Sequence, residues 1–166
     1  MEQKAFESIF QETFHQYSDA IFRFCIVKVS NQPLAEDMTQ EVFMRYWQYV
    51  RDGKDISNPR SLLYTIANNL AKDWYKRKKS IPLEEQEGHQ DVLVSTESSP
   101  ETMAVYHELL EVIDDMDDMD RELILLRHVE GLDPKDIAEL YSESPNVISV
   151  RLNRAMGRLR EHYTYE

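Results

Sequence analysis

The chain is predicted to be all-α, built as two helical domains joined by a flexible acidic linker. Glycine is scarce, four in 166 residues, and no strongly alternating β-branched run appears, so strands have no template. Apolar residues recur instead at helical steps, as in Leu34, Met38, Val42, Tyr46 and Val50. Five of the six prolines (Pro33, Pro59, Pro100, Pro134 and Pro145) stand at the front of such segments. Proline suits the first helical turn, where its missing N–H would have no intrahelical partner.

The first helix, predicted over about 3–29, carries the short apolar stretches Ala20-Ile21-Phe22 and Cys25-Ile26-Val27. The second follows Pro33 over 33–51, with Trp47 beside its apolar stripe. The third runs over 59–79 and shows Leu62, Leu63, Ile66, Ala67, Leu70 and Trp74; both stripes read as core. Residues 80–99 are polar and acidic, include Pro82 and hold only Val92-Leu93-Val94 as an apolar group, which reads as linker. Further helices are predicted over 100–115, 118–130, 134–142 and 145–162. Asn58, Ser99, Asp133 and Ser144 each precede a proline, where a short polar side chain caps free amides. The expected domains are therefore 1–80 and 100–166, with 81–99 between them.

The formal charge of −12 is unevenly spread. Residues 1–80 carry a net +2 and residues 121–166 a net −1, so the −13 of residues 81–120 accounts for all the acidity. No apolar run approaches the roughly 20 residues of a membrane span. Met1-Glu2-Gln3-Lys4 lacks the basic-then-apolar form of a signal peptide. A single cysteine, Cys25, permits no internal disulfide and reads as a buried, inert thiol between Phe24 and Ile26. A cytoplasmic protein with no membrane insertion is expected. His15, His89, His107, His128 and His162 are scattered, and His107-Glu108-Leu109-Leu110-Glu111 lacks the second histidine of a zinc motif. Asp114-Asp115-Met116-Asp117-Asp118 lacks the glycine and terminal glutamate of a calcium loop. No catalytic residue, metal or cofactor is expected.

Three blocks carry recognition chemistry. Asp37, Gln40, Glu41 and Met44 fall at i, i+3, i+4 and i+7 on one flank of the second helix, a strip suited to a basic, partly apolar partner. The third helix carries Tyr64, Asn68 and Asn69, then ends in Lys72-Asp73-Trp74-Tyr75-Lys76-Arg77-Lys78-Lys79. Five cations there exceed what a helix dipole needs. Basic groups neutralise phosphates, aromatic rings stack on unpaired bases, and asparagine reads base edges. Finally, Gly131-Leu132-Asp133-Pro134-Lys135-Asp136-Ile137-Ala138-Glu139-Leu140, a short turn and the helix after Ser144-Pro145-Asn146 form a helix-turn-helix. The apolar stripe of that last helix is Ile148, Leu152, Ala155 and Leu159. Asn146, Ser149, Val150 and Asn153 are candidate base readers, and Arg151, Arg154 and Arg158 candidate backbone anchors, with Arg160 beyond.

With these blocks in that order, the chain resembles the extracytoplasmic-function (group 4) sigma factors. Residues 33–47 resemble region 2.2, residues 58–73 regions 2.3 and 2.4, and the helix-turn-helix region 4.2. The resemblance implies a sigma region 2 helical bundle and a sigma region 4 helix-turn-helix. It implies docking of Asp37, Gln40, Glu41 and Met44 on the β′ clamp coiled coil of bacterial RNA polymerase core. The second domain would meet the β flap, and an anti-sigma factor is an optional further partner. It implies −10 promoter DNA contacts by Tyr64, Asn68, Asn69, Lys72, Trp74, Tyr75, Lys76 and Arg77. The −35 contacts would be Asn146, Ser149, Val150, Arg151, Asn153, Arg154 and Arg158, and the loop 51–57 would hold a flipped base. The chain departs from the family pattern at Ser142-Glu143, usually glycine and an aliphatic residue, and at Ser149-Val150, usually lysine-serine. Two rival readings stay open: a helix-turn-helix regulator that binds duplex DNA on its own, and a helical adaptor of polymerase that does not bind DNA.

Overall fold

The computed structural model describes residues 1–80, 100, 101, 104, 107, 108, 111 and 116–164, with side chains as far as residue 161. The linker over 81–99 with Pro82, His89 and Val92-Leu93-Val94, the Ser99 cap, Asp114, Asp115 and the His162 side chain lie outside the described residues. Of the helix expected over 100–115, the described positions 100, 101, 104, 107, 108 and 111 are helical. The chain divides into two compact units, Met1–Ser99 and Pro100–Glu166. No strand occurs among the described residues.

In the first unit α1 (Glu2–Val29), α2 (Gln32–Arg51) and α3 (Pro59–Ser80) each pack on the other two. The α1–α2 corner is tight because Ser30 adopts a left-handed conformation (φ 51°) and closes α1 through an N–H bond to the Ile26 carbonyl. Asn31 then caps α2, its Oδ1 accepting the Leu34 N–H at 3.0 Å. Asn58 caps α3 as expected, accepting the Ser61 N–H at 3.0 Å.

Ile21, Phe24 and Ile26 of α1 meet Val42, Phe43 and Tyr46 of α2 and Leu63, Ala67 and Leu70 of α3 in the core. Full burial of each large apolar side chain contributes about 1.5–3 kcal/mol. The core tolerates polar atoms where they pair: the Thr13 and Tyr46 hydroxyls share a hydrogen bond at 3.2 Å. Burial pushes the Cys25 thiol up to about 12, so it stays a neutral, unreactive SH.

The second unit contains α4 (Asp118–Ile124), α5 (Pro134–Tyr141) and α6 (Pro145–Thr164). Asp117 caps α4 through the Asp120 N–H at 2.9 Å. The single helix expected over 118–130 is instead α4 followed by a π-helical turn, Leu125–Val129. Glu130 N–H bonds the Leu125 carbonyl, Leu132 N–H bonds the Leu126 carbonyl, and Gly131 (φ 73°) supplies the left-handed step that stops the helix. The wider turn keeps Leu125 and Leu126 buried side by side.

Ser144 caps α6 as expected, accepting the Val147 N–H at 3.2 Å. The cap expected from Asp133 is not made. Its carboxylate faces Arg127 at 3.4 Å, and Arg127 also donates to the Leu132 carbonyl, so the ion pair takes the side chain from the helix end. Leu123, Ile124, Leu132, Ile137, Ile148, Leu152 and Ala155 form this unit's core. Ser142 holds the turn between α5 and α6 in the left-handed region (φ 54°), a cost of about 1 kcal/mol that glycine would not incur.

Candidate nucleic-acid interface

Asp37, Gln40 and Met44 of α2 are exposed and Glu41 is half-buried, so the strip faces outward as its spacing predicts. Met44 is 60% exposed, a large apolar side chain left in water. Glu41 is held by Arg45 at 2.8 Å one turn on. Two α1 residues absent from the sequence expectation, Ile9 and Phe14, are also exposed apolar groups. Phe14 packs edge-on against Phe43 at 4.8 Å, and Phe10 against Trp47 at 5.4 Å. The signal was present: Phe6, Phe10 and Phe14 recur at four-residue steps, with Ile9 beside them, in the mostly polar first half of α1.

Helix α3 sorts its candidate residues sharply. Asn69 and Lys72 are exposed, Trp74 is half-buried, and Tyr75, Lys76 and Arg77 are exposed. Tyr64 and Asn68 are not on the surface: they are 2% and 1% exposed. Tyr64 packs edge-on against Phe24 at 5.3 Å. The direct DNA contact expected of these two is therefore revised to a core role. The reason is that α3 packs against both α1 and α2, so its buried arc is wide enough to take in the Tyr64–Asn68 stripe beside Leu63, Ala67 and Leu70.

At the basic end the aromatics are already engaged. Lys78 Nζ sits over the Trp74 ring at 4.9 Å, and Tyr75 stacks edge-on to Trp74 at 4.8 Å. The Tyr75 hydroxyl donates to the Lys28 carbonyl and ties this end of α3 to the end of α1. Among the described residues no acid pairs with Lys72, Lys76, Arg77 or Lys79. The loop 51–57 before α3 is exposed except for half-buried Ile56. Gly53 turns it with φ 66°, and Lys54 covers the Tyr49 ring at 4.4 Å.

On α6 the outward face is formed by Asn146, Val150, Asn153 and Arg154, all exposed, with Ser149 half-buried at its edge. Arg151 and Arg158 lie on one flank, seven residues apart. Both are engaged with acids of their own unit: Arg151 with Glu143 at 3.5 Å, and Arg158 with the buried Asp120 at 2.6 Å. Arg154 is thus the candidate anchor of this helix that points straight outward. The arrangement suits reading polar base edges through two asparagines, with one arginine for phosphate or guanine.

The Sigma-70 region 2 profile matches residues 13–81, and the Sigma-70, region 4 profile matches residues 106–159. The chain is 27% identical over 158 residues to the ECF RNA polymerase sigma factor BldN of Streptomyces coelicolor, covering 90% of this chain and 58% of that one. It is 23% identical over 163 residues to the ECF RNA polymerase sigma factor SigX of Bacillus subtilis, covering 94% and 84%. The chain therefore spans little more than half the length of BldN and most of that of SigX. Its fold is similar to that of the sigma factor RpoE from Bartonella quintana, solved in complex with the anti-sigma factor NepR. The TM-score is 0.66 at 24% identity, covering 92% of this chain and 94% of that one.

Proposed function

The chain belongs to the sigma-70 family, in its extracytoplasmic-function branch, and from that premise we propose that it directs bacterial RNA polymerase to specific promoters and opens the DNA there. The observation that carries the reading is the pairing of two nucleic-acid surfaces on two units, the cationic end of α3, where among the described residues no acid pairs with Lys72, Lys76, Arg77 or Lys79, and the outward face of α6. A regulator that binds duplex DNA alone needs only the second of these.

Each surface takes a distinct role. Asp37, Gln40, Glu41 and Met44 dock on the β′ clamp coiled coil, with exposed Met44 supplying the apolar contact and the acids the match to a basic helix. Asn69, Lys72, Trp74, Tyr75, Lys76 and Arg77 hold the −10 region, and the loop 51–57 receives an unpaired base. Strand opening follows from capture of unstacked bases and needs no ATP. Asn146, Ser149, Val150, Asn153 and Arg154 read the −35 element, while the second unit meets the β flap. The chemistry of RNA synthesis belongs to polymerase, and the chain works in the cytoplasm beside it. An anti-sigma factor is a fitting partner, as NepR is for RpoE.

Run-off transcription with purified core polymerase, over templates carrying a randomised promoter region, tests the proposal. Transcripts from a defined subset of templates, dependent on this protein, are expected. Half-site binding to duplex DNA by a dimer without polymerase would favour the independent regulator. Uniform transcription across the pool would favour an adaptor without DNA contacts.

A further inference from the structure

Helix α4 carries two buried carboxylates two residues apart, and each grips a different helix of the helix-turn-helix. Asp120 is 5% exposed and takes both Nε (2.7 Å) and a terminal guanidinium nitrogen (2.6 Å) of Arg158 on α6 at one oxygen, Oδ2. Glu122, also buried, accepts the Tyr141 hydroxyl at 2.6 Å. Tyr141 is the last residue of α5 and the neighbour of the left-handed Ser142 that turns the chain into α6. Side chains two positions apart on a helix diverge by about 200°, so one short helix can hold two different neighbours.

We infer that Asp120 and Glu122 are positioning residues that set the angle at which α6 presents Asn146, Val150, Asn153 and Arg154 to promoter DNA, and that Arg158 acts through Asp120 rather than as a phosphate anchor. The inference rests on the reading above that α6 is the base-reading helix. Arg158 lies on the flank of α6, and its Nε and one terminal nitrogen already meet a buried anion. Leaving that contact for a phosphate would strand Asp120 in the protein interior without its cation. The second clamp is equally committed. Burial and the adjoining Glu122 raise the Tyr141 hydroxyl far above its ordinary range, so it remains a proton donor wherever the protein is folded. The clamps meet the helix-turn-helix at its far corners, one at the end of α5 and one in the second half of α6. Loosening either leaves the reading face intact but changes its tilt.

The discriminating variant is Asp120→Asn, which frees Arg158 with its full charge and touches no residue of the reading face. Holoenzyme made with the full chain is bound to duplex DNA selected by the wild type from a randomised −35 pool, and to a scrambled duplex, across a salt series. Arg154→Ala is the comparator and is expected to reduce the slope of log affinity against log salt by about 0.9 for a lost phosphate contact. Asp120→Asn is expected to keep the wild-type slope while its preference for selected over scrambled DNA falls on the order of tenfold, about what one base pair carries. Tyr141→Phe, which removes one hydroxyl, is expected to lower the preference in the same direction by less, and carries the test should Asp120→Asn not fold. Tighter binding by Asp120→Asn would return Arg158 to the phosphate anchors and overturn the inference. So would a lowered melting temperature with undiminished preference, the signature of a purely stabilising pair. Wild-type holoenzyme with no preference at all would instead overturn the reading of α6 itself, and the clamp with it.

Discussion

The two cationic surfaces of this protein look alike in sequence and differ in what their charges are doing. At the end of α3 five cations fall within eight residues, and among the described residues Lys72, Lys76, Arg77 and Lys79 face no acid. On α6 three arginines recur at i, i+3 and i+7, yet Arg151 and Arg158 are bound to Glu143 and Asp120, leaving Arg154 pointing outward. Among the described residues, counting cations therefore overstates the unpaired charge of α6 more than that of α3. Single-stranded DNA offers phosphates that any flexible lysine can follow. In the proposed role, a duplex groove asks for a helix held at one angle, and the Arg158–Asp120 pair contributes to that constraint.

That contrast predicts effects of graded size. The largest concerns a residue revised from surface to core: Tyr64→Ala is expected to cost about 3–5 kcal/mol of stability in denaturant unfolding, as for other buried aromatics. Asn69→Ala, one turn on and exposed, is expected within about 0.5 kcal/mol of wild type. A Tyr64→Ala variant that folds normally but fails to bind promoter DNA would restore Tyr64 to the interface.

A smaller effect separates the two cationic surfaces directly. Lys76→Glu combined with Arg77→Glu is expected to abolish open-complex formation while holoenzyme assembles normally. The salt slope of promoter binding should fall by about 0.7 for each single-strand phosphate lost. Arg151→Ala, whose charge is already paired, is expected to change that slope far less. Equal slope changes from the two would erase the distinction between the surfaces.

The smallest effect is a gain. Gly157 lies on the outward side of α6, and a Cβ added there meets nothing within 4 Å. Gly157→Ala is expected to stabilise the protein by about 0.5–1 kcal/mol by removing backbone freedom from the unfolded chain. Denaturant melts measure the gain. A Gly157→Ala variant that is more stable yet binds −35 DNA less tightly would show that backbone and DNA approach more closely at this point than elsewhere on α6.

Much of the architecture is legible in the sequence. Helix boundaries followed from prolines and their preceding caps: Asn58 and Ser144 do cap α3 and α6, and the apolar stripes of α2 and α3 are buried apart from half-buried Leu34, Leu62 and Trp74. Asp133 shows where that logic ends. Its position is right for a cap, but Arg127, six residues back in sequence, competes for the same carboxylate across the turn. The π-helical turn at Leu125–Val129 was also hidden, because one extra residue in a helical turn leaves the apolar pattern of Leu123 to Leu126 unchanged.

The candidate surfaces divided along the same line. Spacing on a single helix was enough to place Asp37, Gln40, Glu41 and Met44 together on the outer flank of α2, with Glu41 half-buried, since that flank lies away from the apolar stripe that α1 and α3 cover. It failed for Tyr64 and Asn68, because helix period does not fix how wide an arc of the helix its neighbours cover. Local order in the chain determined which segments are helical, where they start and stop, and where positive charge gathers, because capping, periodicity and charge act within a few residues. Only the packing of helices distant in sequence decided which polar groups turn inward and that Arg158 is already engaged by the buried Asp120 carboxylate, because burial and ion pairing depend on what the fold brings alongside.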